Sequence, residues 1–313
     1  MAATEAQGCK ARLYAKDGSG TPNWTTGTIR SFPFYRESMR KIGNVVHPQV
    51  ITGDRSEHGE RARVGPTLYH GTITFGVSPA EMAFWAPYFM GTVASGTTFA
   101  LANNALLPFG ILIDKVTTTY EFSSCYVDKA LVTGKTGGPG GPPNYLTLQL
   151  TIYALAYQRG VTSPNPAVNI PTITGDYVPL VFEDCASAIT IASAARETKQ
   201  MAILIDNFVQ ARYVNSVEPS ILYPTHRQVK LQTRHPYDSD NANLEGIALS
   251  SSAGGSIVAT NGSVSITWTF GLLQQIIQSP VVNGKNEIDI VNSYVSRMTG
   301  STRELVMTID SSV

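Results

Sequence analysis

The chain has 313 residues, only 15% of them charged, and its 23 Lys plus Arg are balanced by 23 Asp plus Glu. Zero net charge gives no strong electrostatic grip on nucleic acid or an anionic membrane, and sparse charge favours self-association. The length suits two domains of ordinary size, and Cys9, Cys125 and Cys185 show neither a disulfide framework nor histidine at metal-ligand spacing, which suits a reducing compartment.

No apolar run approaches the roughly 20 residues of a membrane helix. Met1 to Glu5 begins without the basic-then-apolar signature of a signal peptide. A soluble protein that folds in cytoplasm, without membrane insertion, is the expectation.

Residues 1–30 are rich in Gly, Thr and Lys and read as an irregular N-terminal arm. Ser31 to Pro66 gathers charge (Arg36, Glu37, Arg40, Lys41, Asp54, Arg55) around an apolar centre, Val45, Val46, Val50 and Ile51, and reads as a long hairpin or loop. A connection of that length is rarely idle. Tyr69 to Val77 alternates like a strand. Ser78-Pro79-Ala80-Glu81 then carries a cap, a proline at the first helical position and a capping-box glutamate, so a helix is predicted to Gly91, kinked or ended at Pro87.

Further strands are predicted at Thr98–Leu101, Phe109–Asp114, Thr117–Phe122, Tyr126–Thr133 and Leu146–Tyr157. A proline-punctuated linker at 162–171 separates a first domain, 31–161, from a second, 172–313. In the second, Asp238 to Gly246 reads as a shorter capped helix. Strands are predicted at Ser256–Ala259, Val264–Phe270, Leu272–Gln278, Ile288–Val295 and Glu304–Asp310.

The halves echo one another. Leu148-Gln149-Leu150-Thr151-Ile152 and Leu305-Val306-Met307-Thr308-Ile309 lie 157 positions apart, and Pro66-Thr67 recurs 158 positions on as Pro224-Thr225. Thr72-Ile73-Thr74 faces Lys230-Leu231-Gln232 at the same 158. Two copies of one unit in a chain let a subunit fill two positions of a ring.

No catalytic, cofactor or metal constellation emerges. Gly134-Lys135-Thr136 has Lys129 where a phosphate loop needs glycine, and reads as a hairpin loop. His47, His58, His70, His226 and His235 never reach zinc-ligand spacing. Glu183 and Asp184 would raise, not lower, the thiol pKa of Cys185, which reads as a buried cysteine at a strand end. Trp85, beside Phe84 and Tyr88, reads as core or subunit contact rather than a stacking platform.

Several segments together resemble the tail tube proteins of long-tailed bacteriophages, in the duplicated version. They are Gly71-Thr72-Ile73-Thr74-Phe75 with the helix to Phe89-Met90-Gly91, and Ser124-Cys125-Tyr126-Val127-Asp128-Lys129-Ala130, where Ser124 replaces the family's glycine. Ala202-Ile203-Leu204-Ile205-Asp206-Asn207, Asn215-Ser216, Pro219, Gly300 and Glu304-Leu305-Val306 complete the likeness. It implies two tandem antiparallel β-sandwich or barrel domains, each with one flanking helix, in rings whose inner strands merge into a tube. Three chains per ring, pseudo-sixfold, would supply about 24 inner strands, well above the roughly 16–18 of porins.

The implied partners are other copies of the chain, a tape measure protein, tail-end proteins, and double-stranded DNA passing without specific binding. The implied place is the virion tail, assembled in the bacterial cytoplasm. A conduit that must release DNA is expected to be neutral or acidic inside, because each neutralised phosphate adds affinity. The charged segment is the candidate inter-ring connector. Two other readings remain: a tail terminator of the same fold, and a carbohydrate-binding β-sandwich using the tyrosines and Trp268.

Overall fold

Along Thr147–Ala154 the residues Leu148, Leu150, Ile152 and Ala154 are buried and those between them are partly open, and this period-two pattern recurs in strand after strand. The product is a mainly β protein of packed antiparallel sheets, with one α-helix among the described residues. The computed structural model describes residues 10–18, 20–24, 29–46, 62–91, 96–101, 106–137, 144–164, 178–185, 189–192, 194–237, 254–262, 264–276, 288–300 and 302–310. Asp238–Gly246, expected as a helix, and most of the 162–171 linker lie outside them.

The first half contributes β1 (Arg12–Asp17), β2 (Arg30–Phe32), β3 (Arg36–Glu37), β4 (Arg40–Val46), β5 (Arg63–Gly76) and α1 (Pro79–Met90). It continues with β6 (Thr98–Ala100), β7 (Phe109–Asp114), β8 (Thr119–Lys135), β9 (Thr147–Ala154) and β10 (Ala156–Arg159). The second half supplies β11 (Ile189–Ile191), β12 (Ala194–Ala195), β13 (Gln200–Asp206), β14 (Val209–Arg212), β15 (Ile221–Pro224) and β16 (Gln228–Pro236). It ends with β17 (Gly255–Asn261), β18 (Val264–Phe270), β19 (Leu272–Ile276), β20 (Asp289–Arg297) and β21 (Leu305–Asp310).

Pairing reveals one strand order used twice. In the first half β4, β5, β9 and β8 lie side by side; in the second β13, β16, β20 and β19 do. Each set places its fourth strand in sequence inside its third. The partner layers agree: β1-β7-β8-β10 in one half, β11-β17-β18-β21 in the other. The long β8 serves both of its layers, its first part pairing β7 and its second part β9. Its counterpart is the nearly continuous pair β18 and β19.

This order corrects the offset read from sequence. Thr72–Thr74 and Lys230–Gln232 do occupy corresponding strands, β5 and β16, but Leu148–Ile152 lies in β9 and Leu305–Ile309 in β21, which sits in the other layer. The counterpart of β9 is β20. Alternating apolar strands look alike, and only hydrogen-bonded neighbours tell them apart.

The halves share one core. A single contiguous cluster runs from Leu13 to Ile309. The first half's β6 completes the second half's sheet by pairing β21, and α1 packs against β8, β6, β18 and β21. At the centre Trp85, fully buried, meets Phe32, Phe75 and Phe109 with ring centroids 5.1, 5.2 and 5.5 Å away. The expected irregular arm is also corrected: β1 pairs β2 and β7 and buries Leu13, Tyr14 and Ala15 completely. Thr117–Phe122 and Tyr126–Thr133 merge into β8 across a register shift against β7 at Ser124, whose φ is 48°, and a second bulge lies between Val127 and Lys129.

The helix starts as predicted, with Ser78 Oγ accepting from the Glu81 N–H and donating to its carboxylate. It does not stop at Pro87: the last turn continues to Met90, held by the burial of Tyr88, Phe89 and Met90, and closes at left-handed Gly91. Burial pushes the Glu81 carboxyl up to about 7 against the pull of Ser78. Between the ordinary value of 4.5 and about 7 the folded state therefore holds a proton that the unfolded chain has lost, and stability falls as pH rises through that window. Glu81→Gln keeps the capping box without the charge. It is expected to leave stability unchanged at pH 4 and raise it by about 2 kcal/mol at pH 8, read by urea unfolding.

Candidate assembly surfaces

The structure converts two four-stranded sets into one sheet through a single junction. Strand β13 pairs β8 over seven positions, from Gln200 opposite Lys135 to Asp206 opposite Lys129. The sheet thus reads β4-β5-β9-β8-β13-β16-β20-β19, eight strands with β4 and the short β3 at one edge and β19 at the other.

The junction is fixed at one end by the Asp206-Asn207 pair singled out in the sequence. Asn207 is 2% exposed; its amide donates to the carbonyls of Phe89 and Val127, each at 3.1 Å, and its N–H donates to the Asp128 carbonyl at 2.7 Å. One side chain thereby ties the end of α1, the bulge of β8 and the end of β13. Asp128, in that bulge, accepts from the Val209 N–H at 2.7 Å, and burial raises its pKa. Lys129 pairs with Asp206 at 3.0 Å, a contact that raises the lysine's own pKa. Phe208 takes a left-handed φ of 46° and stacks on His226 at 3.8 Å. Asn207→Leu strands two buried carbonyls and is expected to cost about 2–3 kcal/mol, with loss of cooperativity between the halves, measured by chemical unfolding.

Two arms leave the same end of the sheet. The first is the hairpin of β4 and β5 beyond Tyr69, where Val45, Val46 and Val64 are 57%, 48% and 62% exposed. The second, β14 with β15, occupies the matching place between β13 and β16 and also exposes Val214, Val217 and Ile221. It folds back onto the first half: Tyr69 Oη donates to Glu218 at 2.7 Å, Tyr213 Oη donates to the Thr67 carbonyl at 2.9 Å, and the Thr67 N–H donates to Val217 at 2.7 Å. Sequence reasoning missed this arm, although the matched dipeptides Pro66-Thr67, within β5, and Pro224-Thr225, at the end of β15, lie one in each arm region.

The candidate connector residues divide accordingly. Val45 and Val46 stand exposed on the arm, and Arg36 and Arg40 on the sheet edge. Lys41 lies over the Tyr69 ring at 5.6 Å and 4.0 Å from Glu218. Glu37 is not available: it is held by Lys115 at 2.5 Å and by the Met39 N–H. Val50, Ile51, Asp54 and Arg55 lie outside the described residues.

The chemical candidates resolve into structure. Gly134 and Lys135 end β8. Cys185 is buried in a 3-10 turn, Phe182–Cys185, rather than at a strand end, and burial with Asp184 and Glu183 pushes its thiol up to about 12. Cys125 is likewise buried with a raised pKa. His235 is fully buried and bonded to Thr233, Thr198 and the Glu197 carbonyl. Among the described residues no group of three or more His, Cys, Asp or Glu is placed to hold a metal, and no helix is long and apolar enough to cross a membrane. Trp268, offered as a sugar platform, is 1% exposed in the core. Compared with known families and with characterised proteins, the chain matches no family model and no curated protein.

Proposed function

We propose that this chain is a structural virion protein that assembles as stacked rings into the hollow tail tube of a long-tailed bacteriophage, the conduit for genome ejection. The observation that carries the reading is the eight-stranded sheet. One face packs on the core, the other is open except where Val209 and Leu222 of the β14–β15 arm pack with Tyr126 and Tyr153, and its two edges among the described residues are the first strand of one repeat and the third of the other.

Inside the chain, β8 and β13 are the third strand of the first repeat and the first of the second, and they pair. The free edges β19 and β4 are the same two kinds of strand. Pairing β19 of one chain with β4 of the next would repeat the internal junction and remove the exposed edges. Three chains then give about 24 strands and a pseudo-sixfold ring, wide enough to pass duplex DNA. The arms, projecting from one end of every repeat with exposed valines, suit contact with the adjacent ring. A tape measure protein and tail-end proteins complete the proposed set of partners.

Electron microscopy of the purified protein is expected to show hollow filaments with end-on pseudo-sixfold symmetry, and mass measurement of an isolated ring to give three chains; six would overturn the duplicated ring. Replacing Gly43–Gly59 by a short turn is expected to leave a folded, soluble protein that no longer polymerises. Normal tubes from that variant would move the connector role to the β14–β15 arm. Hydrogen exchange provides a third check: backbone amides of β4 and β19 should exchange freely in unassembled chains and become protected in tubes.

A further inference from the structure

Beyond the patch under the β14–β15 arm, the outer face of the eight-stranded sheet has a sign of charge that the neutral composition conceals. Strand alternation turns Lys129 and Lys135 of β8, Lys230 and Arg234 of β16 and Arg297 of β20 to this face, all exposed. The acids that share it are Asp206 and Asp289. Each is sunk beneath its partner: in the pair Lys129–Asp206 the side chains are 46% and 9% exposed, and in Arg234–Asp289 49% and 14%. Lys199 also binds Asp289, at 2.7 Å, so that triad keeps a positive charge. Lys135 and Lys230 have no carboxylate partner among the described residues. What the face presents outward is cationic, where a neutral or acidic conduit was expected.

Between these cations stand hydrogen-bonding groups: Gln200 lies between Lys135 and Arg234 in register, and Gln232 lies between Lys230 and Arg234 along β16. Leu131 and Leu204 are only half-open, and no aromatic residue stands in register beside Lys135, Lys230 or Arg234; the rings of this face, Tyr126, Tyr153 and His70, gather at the arm end, where Tyr153 neighbours Lys129. Stacking of single-stranded bases therefore has no platform beside Lys135 and Lys230. Anchoring of a peptide by apolar side chains has little to fill.

We propose that this face makes sequence-independent, salt-sensitive contacts with the phosphate backbone of duplex nucleic acid. Lys135 and Lys230 are the principal contributors, and the raised heads of Lys129, Arg234 and Arg297 support them. Sunken acids limit the strength of each contact without reversing its sign. The proposal rests on the tube reading only in making this face the wall of the bore; there it would retard the passing genome, rather than repel it, to a degree set by ionic strength.

The test uses the full-length unassembled chain, a labelled random-sequence duplex of about 30 base pairs, and fluorescence polarisation between about 50 and 200 mM salt. Weak binding that falls with salt is expected. Lys135→Gln with Lys230→Gln should weaken it about tenfold at the lower salt and reduce the logarithmic salt slope by about two. Lys10→Gln with Arg159→Gln, on exposed positions away from this face, should change neither. Absence of binding at the lower salt, or equal effects of the two double variants, would overturn the proposal. So would tighter binding of polyglutamate through the same lysines, which would make the occupant an acidic protein. Microscopy of the same samples separates the two readings: DNA binding without tubes removes the tube, and tubes without DNA binding remove only this contact.

Discussion

Pairing between β8 and β13 is the contact on which the rest of the architecture depends. Seven register positions join two four-stranded sets, and Asn207 locks the end of that seam by donating to carbonyls from α1 and from the β8 bulge. Without the seam, each half would present two unpaired edges to water, a state that sheet proteins avoid by pairing, covering or charging them. With it, β4 and β19 are the edges of this sheet among the described residues, and these stand in the same relation to each other as the two strands already joined. The molecule carries within itself a sample of the interface that a ring requires.

The core explains why the two repeats are not independent beads. Helix α1 belongs to the first half by sequence but touches β18 and β21 of the second, and β6 crosses over to pair β21. The aromatic cluster around Trp85 fills the space between layers with large rings in edge and tilted contacts, which contribute beyond their buried area. Buried polar groups satisfy backbone ends at the Ser78–Glu81 cap and the Asn207 clamp, and pair with one another in the second half, His235 with Thr233 and Gln275 with Asn292. Both arms carry exposed apolar residues, Val45, Val46 and Val64 on one and Val214, Val217 and Ile221 on the other.

The charge distribution follows from the same geometry. A chain with equal numbers of acids and bases has no net field to steer a partner at long range. Period-two alternation nevertheless sorts side chains by face, and on the outer face the bases are raised and the acids lowered. Net charge therefore described the whole chain and misdescribed the one surface that matters most to the proposed role.

What the sequence determined by itself was local. The capping box at Ser78–Glu81, the strand limits at Phe109–Asp114 and Val264–Phe270, and the alternation of Thr147–Ala154 are written in short-range patterns of turn, cap and apolar period. The repeat was also audible, since β5 and β16 carry matching landmarks, and so was the Asp206-Asn207 motif that became the seam. Tertiary structure decided the rest. It matched β9 to β20 rather than β21, drew the N-terminal segment into β1, joined two strands across the irregularity at Ser124, and chose which alternate side chains face outward. Those outcomes depend on which strand lies beside which, and a one-residue change of register inverts every face, so no reading of a single strand contains them.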